Sequence, residues 1–275
     1  MLQHIMEFLR RRREYARIRA MDTPPGGQAI CRAWSQLCRM RPKSPSEVVT
    51  IELAGRPITG PHSDLIEVFD EVFLQGTYQT ALPGPEPFIL DCGANLGLAT
   101  LFFHFQYPKA RITAFEPSPA IQSHIKSNLA GLERVSLVSA ACGREAGHVN
   151  FHVVGGHSTG SSATIKWPDA TETVSVPVVR VSDYVTEKVA LLKLDVEGAE
   201  WDVMQDLKAT GRLALVERFI VEYHHHLKSD WKLSQFLMFF EDAGFQYNIV
   251  GWRKPRQRFD LTWQPLMLYA WKATE

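Results

Sequence analysis

Asp91, Gly93, Asn95 and Gly97 alternate through the stretch Phe88–Gly97, and that spacing is the first sign of chemistry. The apolar run Phe88-Ile89-Leu90 ends in an acid and a glycine, as a buried parallel strand feeding a tight turn would. Leu98 to Phe105 then reads as the start of a helix. Glycines at such a turn let the backbone come close to a ligand. The helix start offers free N–H groups and a partial positive charge to a carboxylate or phosphate. Asp91, at the strand end, is suited to a ligand ammonium.

Glu116 closes the next apolar run, Ile112-Thr113-Ala114-Phe115, nineteen residues after Gly97. Rossmann-type folds put the acid that binds ribose hydroxyls at about this distance. A dinucleotide site wants G-x-G-x-x-G, because pyrophosphate must lie against bare backbone. Here Asn95 holds the middle position and the third glycine is absent. A cofactor with ribose but no phosphate, such as S-adenosylmethionine, fits better than a nicotinamide dinucleotide.

A second group of acids follows the apolar run Ala190-Leu191-Leu192. Asp195, Glu197 and Glu200 crowd three carboxylates around one strand end. Acids at a helix start complement its dipole, which accounts for Glu197 or Glu200 but not for Asp195. A further strand, Arg218–Tyr223, carries Glu222 near its end and runs into His224-His225-His226. If a methyl group is moved to an alcohol, the acceptor must lose its proton, and a general base is useful. The candidates are Asp195, Glu222, His224 and His225, with His224 first because histidine titrates near neutrality and Glu222 could orient it. Strand neighbours alternate in direction, so His224 and His225 should not both face one site. Asp195, Glu197, Glu222 and His224 would together suit a hard or intermediate divalent metal, but no compact ligand motif demands one, and none is expected. The loop Gly155–Ser162 is rich in glycine and hydroxyls. Ser161 and Ser162, with Glu197, are candidate contacts to a sugar-like acceptor.

The chain that must position these groups has 275 residues, enough for one large domain or a domain with an appendage. Acids and bases balance at thirty each, so no global charge points to nucleic acid. The four cysteines, Cys31, Cys38, Cys92 and Cys142, form no C-x-x-C, and a reducing cytoplasm is the default expectation. No apolar run approaches a membrane span, and the first residues do not read as a signal peptide. Residues 1–20 have helical character and are strongly basic, with Arg10 to Arg13 in a row. They read as a solvated or partner-packing helix, with membrane or partner docking as the alternative role. A short helix is expected over residues 28–40, a strand over 48–53, and one or two helices over 64–78. Tyr78, just upstream of the glycine turn, is a candidate to lie over a bound cofactor.

From residue 87 strands and helices alternate, which argues for a parallel sheet covered on both faces. Strands are expected at Phe88–Leu90, Ile112–Glu116, Val135–Ala141 and Ala190–Asp195, with ligands at their carboxyl ends. His148–Val153 and Thr173–Val178 read as antiparallel strands, Trp231–Gly244 as a helix, and Phe245–Trp252 with Pro265–Trp271 as a closing hairpin.

Over residues 67–272 these motifs resemble the FkbM family of S-adenosylmethionine-dependent methyltransferases. The resemblance rests on Asp91-x-Gly93-x-Asn95-x-Gly97, Phe115-Glu116-Pro117, the Gly160-Ser161-Ser162 loop, Glu222-Tyr223-His224 and, most diagnostically, Lys193-Leu194-Asp195-Val196-Glu197-Gly198-Ala199-Glu200. It implies an α/β fold, a Rossmann-like seven-stranded sheet whose last strand runs antiparallel. An N-terminal, partly helical extension (residues 1–60) would precede the domain at 61–275. It implies that Asp91, Gly93, Asn95 and Gly97 hold the methionine end of the cofactor and that Glu116 binds the ribose. Pro117 and Ser118 would line the adenine on one side, and Ala141 with Cys142 on the other. Asp195 would sit beside the transferable methyl. Members commonly O-methylate sugars or natural products, so a small glycoside or natural-product hydroxyl is the expected acceptor. The competing readings are a non-catalytic S-adenosylmethionine-binding module and an NAD-dependent oxidoreductase.

Overall fold

The computed structural model describes residues 24–154, 162–163, 170–226, 232–251 and 263–273. The basic segment 1–20 and Ser161 lie outside them. The side chain of His225 also lies outside them.

The centre is a seven-stranded sheet. Its strands are β3 (Phe88–Cys92), β4 (Arg111–Phe115), β5 (Val135–Val138), β9 (Leu191–Leu194), β10 (Arg218–His226), β11 (Phe245–Gly251) and β12 (Trp263–Lys272), in the order β11-β12-β10-β9-β3-β4-β5. β3 pairs in parallel with β4 and β9, β4 with β5, and β9 with β10. β12 alone runs antiparallel, between β10 and β11. The chain builds outward from β3 through β4 to β5, then crosses to β9 and builds the other way. The crevice at the carboxyl ends of β3 and β9 is therefore the topological switch point where such sheets bind ligands.

The central strands are buried on both faces, and side-chain alternation divides them between two cores. Ile89 and Leu191 join one apolar cluster, Leu90, Cys92, Leu192 and Leu194 the other. Helices α3 (Leu98–Gln106) and α4 (Gln122–Asn128) contribute Leu101 and Ile125 to the first. Helices α5 (Glu200–Ala209) and α6 (Leu233–Asp242) contribute Val203 and Phe236 to the second.

The first core also takes in the chain before the sheet. Helix α1 (Gly27–Arg39) buries Ile30, Ala33 and Leu37, and the hairpin β1 (Val48–Leu53)–β2 (Arg56–Pro61) buries Ile51, Leu53 and Ile58. The hairpin turns through Ala54 and Gly55, both at positive φ, as a two-residue turn between twisted strands requires. The buried Asn128 side chain fastens it to α4: its Oδ1 accepts from the Thr59 N–H at 2.8 Å. Its Nδ2 donates to the Thr59 carbonyl at 3.0 Å and the Leu96 carbonyl at 2.9 Å. Helix α2 (His62–Phe69) follows and runs on into a π-helical turn, Asp70–Gln75.

One expected strand is broken. Val135–Ala141 reads as continuous, but β5 stops at Val138. The chain bends at Ser139–Ala140, and Ala141–Gly143 (β6) pairs instead with the end of β8 (Ala170–Arg180). β8 also pairs antiparallel with β7 (Gly147–Val154), completing a separate three-stranded sheet in the order β6-β8-β7. Ala141 is thus the first residue of a new strand, not the carboxyl end of the old one.

Candidate active site

The turn after β3 is pressed against the end of β9. Gly93 and Ala94 donate their N–H groups to the Phe115 carbonyl at 3.0 and 2.9 Å, and the Asp195 N–H bonds the Cys92 carbonyl at 3.0 Å. Gly93 has φ +85°, and a Cβ there would lie 1.7 Å from the Asp195 carbonyl oxygen. Asn95 also has positive φ, and Gly97, at φ +82°, forms the left-handed cap that starts α3.

Lys193 and Asp91 are partners in the register of β9 and β3, so their side chains emerge on the same face. Both are buried, with Lys193 Nζ 3.3 Å from Asp91 Oδ1, 3.5 Å from Asp195 Oδ2 and 2.8 Å from the Gly93 carbonyl it donates to. Thr100 donates to Asp91 Oδ2 at 2.6 Å. Asp91 therefore acts on the glycine turn through Lys193 and does not face the cleft. Burial works against the Lys193 ammonium, but Asp91, Asp195 and Glu71 outweigh it and raise its pKa.

Glu116 lies at the end of β4, almost fully buried. Its Oε2 accepts from the Asn95 N–H at 2.9 Å and its Oε1 from the Ser118 N–H at 2.7 Å. Burial raises its pKa to about 7 against the lowering effect of these two bonds. A carboxylate has about four lone-pair sites, and backbone takes two. The remainder suit a pair of neighbouring hydroxyls.

An open cleft lies along these groups. Gly93, Asn95, Glu116 and Pro117 line one part, Ala141 and Cys142 another, and Asp195 with Glu197 the end towards β10. Phe151 of β7 and Ala163 add apolar walls that the sequence gave no reason to single out. Ser118, Gly97 and Tyr78 are absent from the lining: Ser118 is buried, and Gly97 shapes the helix start. Tyr78 is buried too, its hydroxyl donating to Glu71 Oε1 at 2.8 Å and its ring centroid 5.3 Å from Lys193 Nζ. Tyr78 thus packs under the site rather than over the cleft.

At the β10 end, His224 is buried among acids. Its Nδ1 bonds Glu200 Oε1 at 2.9 Å, and its Nε2 lies 3.5 Å from Glu197 Oε2 and 3.6 Å from Glu222 Oε1. Glu200 is fixed in turn by the N–H groups of Val196 and Gly198. Ser162 hydroxyl donates to the Glu197 carbonyl, so its tie is to the acid loop. Burial disfavours the His224 imidazolium, but Glu200, Glu197 and Glu222 more than compensate and push its pKa well up. A histidine whose pKa is raised in this way is a poorer starting base than the His224 the sequence suggested. Burial, reinforced by Asp195, pushes the Glu222 carboxyl well up.

Two charged residues of this region, Lys193 and Glu71, had no assigned role in the sequence, and Glu200 had only that of complementing a helix dipole. Glu71 sits on the π-helical turn, a distortion often found at functional sites. Burial, with Asp195 adding to it, raises its pKa to about 7. The signal that could have found Lys193 and Glu71 was a charge interrupting an otherwise apolar strand or helical stripe.

A glycine turn at the switch point, an acid on the next strand and an acid cluster across the cleft suit a cationic, ribose-bearing ligand. The family model described as the methyltransferase FkbM domain matches residues 91–247, which takes in all of these groups from Asp91 to His224. The chain belongs to the FkbM methyltransferase family. Three similar proteins fit this membership. Methyltransferase 1 of Beauveria bassiana is 32% identical over 203 residues, covering 65% of this chain and 80% of that protein. The 2-O-methyltransferase NoeI of Sinorhizobium fredii is 30% identical over 147 residues, covering 47% of this chain and 60% of that protein. The 31-O-demethyl-FK506 methyltransferase FkbM of Streptomyces tacrolimicus is 26% identical over 153 residues, covering 44% and 59%. In this FkbM-family chain the seven-stranded, mostly parallel sheet, with its one antiparallel strand β12, is of the Rossmann-like methyltransferase type. Among the described residues no helix is long and apolar enough to cross a membrane.

Proposed function

We propose that this chain is an S-adenosylmethionine-dependent O-methyltransferase acting on a hydroxyl of a small sugar-like or natural-product acceptor. The observation that carries the reading is Glu116: a buried carboxylate anchored by two backbone N–H groups beside the glycine turn, with lone pairs left for a ribose diol. Dinucleotide chemistry is disfavoured because Asn95 and the missing third glycine leave no bare backbone for a pyrophosphate. When bound, the sulfonium cofactor supplies an activated methyl group.

The chain's own residues do the rest. Gly93 and Asn95 shape the turn that receives the amino-acid end, and Glu116 holds the ribose. Ala141 and Cys142 form the apolar wall that suits an adenine. Asp195 and Glu197 present negative charge to a sulfonium, which favours binding of a cation in a partly dry cleft. The acceptor oxygen has to lie in line with methyl and sulfur, and that alignment is worth a large share of the rate. Its proton passes to the carboxylates of Asp195 and Glu197 at the cleft end, beside which His224 and Glu222 lie. The names of two relatives, a 2-O-methyltransferase and a 31-O-demethyl-FK506 methyltransferase, support oxygen as the accepting atom.

The test is incorporation of labelled methyl from S-adenosylmethionine into a panel of glycosides and polyketide-type alcohols, with the new methyl located by NMR. An O-methyl product is expected. Transfer only to nitrogen or carbon would overturn the O-methylation reading. A folded protein that binds the cofactor tightly but never turns over would favour a non-catalytic binding module.

A further inference from the structure

We propose that Asp195, Glu197 and His224 form a site for one divalent cation of the manganese or zinc class, at the β10 end of the cleft, with Glu222 beside the imidazole. Asp195, Glu197 and His224 each offer one ligand atom, and these atoms lie within 4.8 Å of one another. Three ligands spread evenly about 2.0–2.3 Å from a common ion lie at most about 4.0 Å apart, so the cage need close by no more than about 1 Å.

His224 distinguishes this set from a mere crowd of surface acids. The imidazole is buried, and a carboxylate can only accept, so the Nδ1 that meets Glu200 at 2.9 Å carries its hydrogen. That bond turns Nε2 towards Glu197 and Glu222, the arrangement by which an outer carboxylate orients a ligating imidazole. The distances there are 3.5 and 3.6 Å. Both exceed the usual 2.7–3.2 Å of an N–H···O bond. They match the separation of about 3.4 Å kept by two ligands of one tetrahedral ion.

The outer acid has no slack. Glu200 is fully buried, its Oε1 takes two backbone N–H groups as well as the imidazole, and its Oε2 is buried without a hydrogen-bond partner. Charge argues the same way. Glu197, Glu200 and Glu222 surround one imidazole, and Asp195 shares the Lys193 cation with Asp91, which leaves acids in excess in a partly desolvated place. Two carboxylate oxygens, one imidazole nitrogen and no thiolate select an intermediate divalent ion over calcium or a thiophilic metal.

Asp195 and Glu197 also line the cleft, so the ion would touch whatever binds there. On the methyl-transfer reading, and only on it, the cation would polarise the acceptor hydroxyl and ease loss of its proton to a neighbouring carboxylate. The new O–C bond then forms as the S–C bond breaks.

The test uses the chelator-treated full chain, titrated calorimetrically with manganese chloride alone. Cobalt chloride with visible absorption gives a second reading of the ligand field. One equivalent per chain is expected in the wild type. Glu197→Gln, at a partly exposed position, should weaken binding at least tenfold while thermal melting shows the fold retained. Asp183→Asn, an exposed acid paired with Arg180, should leave it unchanged. The inference falls if folded wild type shows no saturable binding up to about 1 mM, the weak end of divalent sites, or if Glu197→Gln binds as tightly as wild type. S-adenosylmethionine is titrated in parallel. Cofactor binding without metal binding sinks the cation site alone, and metal binding without cofactor binding sinks the cofactor reading alone.

Discussion

Replacing Glu116 with Gln tests ribose recognition with the side chain's size kept. One oxygen can still accept a backbone N–H, but the NH2 faces the other, from Asn95 or Ser118, so thermal melting must show that the turn is retained. What is lost is the charge behind the hydrogen bonds to the ribose hydroxyls, worth roughly 1.5–3 kcal/mol. At 1.4 kcal/mol per tenfold, the dissociation constant for S-adenosylmethionine should rise about 10- to 150-fold. The wild-type affinity should also depend on pH, because burial raises the Glu116 pKa to about 7. With the binding-competent form ionised, about one-tenth of the protein is competent at pH 6 and about nine-tenths at pH 8. Apparent affinity should therefore climb about tenfold across that window. Lys193 and Asp195 face the same group and pull its pKa in opposite directions, so neither reverses this trend. The sign for stability is opposite. The folded pKa of about 7 lies above the ordinary glutamate value of 4.5, so the fold favours the protonated acid. Stability from this group is full below pH 4.5 and is lost, by about 3 kcal/mol, as pH rises through 7. Calorimetric binding at pH 6, 7 and 8 on both proteins is the assay. Binding by Glu116→Gln within twofold of wild type, or the same pH slope in both, would refute the reasoning.

Three further perturbations test the scaffold. Gly93→Ala forces a Cβ to within 1.7 Å of the Asp195 carbonyl at a positive φ. It should cost about 2–5 kcal/mol of stability in urea unfolding and abolish cofactor binding even where the fold survives. Lys193→Met leaves Asp91 and Asp195 without their buried cation and should cost about 3–5 kcal/mol, so a loss under 1 kcal/mol would mean the lysine is not the keystone. Asn128→Ala strands the N–H and carbonyl of Thr59 and should cost about 2–4 kcal/mol, with earlier proteolysis of the β1–β2 hairpin than in wild type.

The glycine-turn half of the candidate site was readable because its signals are local. Asp91, Gly93, Asn95 and Gly97 sit on one strand–turn–helix, and Glu116 closes the next strand, so each position follows from its neighbours. The acid half was readable only in composition. Asp195, Glu197, Glu222 and His224 were gathered from two strand ends, but Glu200 proved to be the closest partner of His224, and that turned a candidate base into an enclosed imidazole held by an acid. Lys193 escaped because its counter-ion is Asp91, on another strand a hundred residues earlier in the chain. Glu71 escaped because an apolar stripe announces a helix but not a π-turn that carries an acid inward. The break after Val138 has no local signal either. Val-Ser-Leu-Val-Ser-Ala-Ala has neither glycine nor proline, and the bend follows from pairing of Ala141–Gly143 with Val178–Arg180.

That small sheet has a consequence for how such a protein can change. β6, β8 and β7 hydrogen-bond among themselves and lend no residue to the register of the seven central strands. Yet the same unit supplies Ala141, Cys142 and Phe151 to the cleft wall. Lengthening the β7–β8 hairpin adds only about 0.6 kcal/mol of closure entropy per doubling. A lineage could therefore rebuild the wall at Phe151 while the turn at Gly93 and the acid at Glu116 stay untouched, whereas Ala141 and Cys142 tie the other edge of the same sheet to the proposed adenine side. The small sheet is thus open to change at its β7 edge and bound to the donor at its β6 edge.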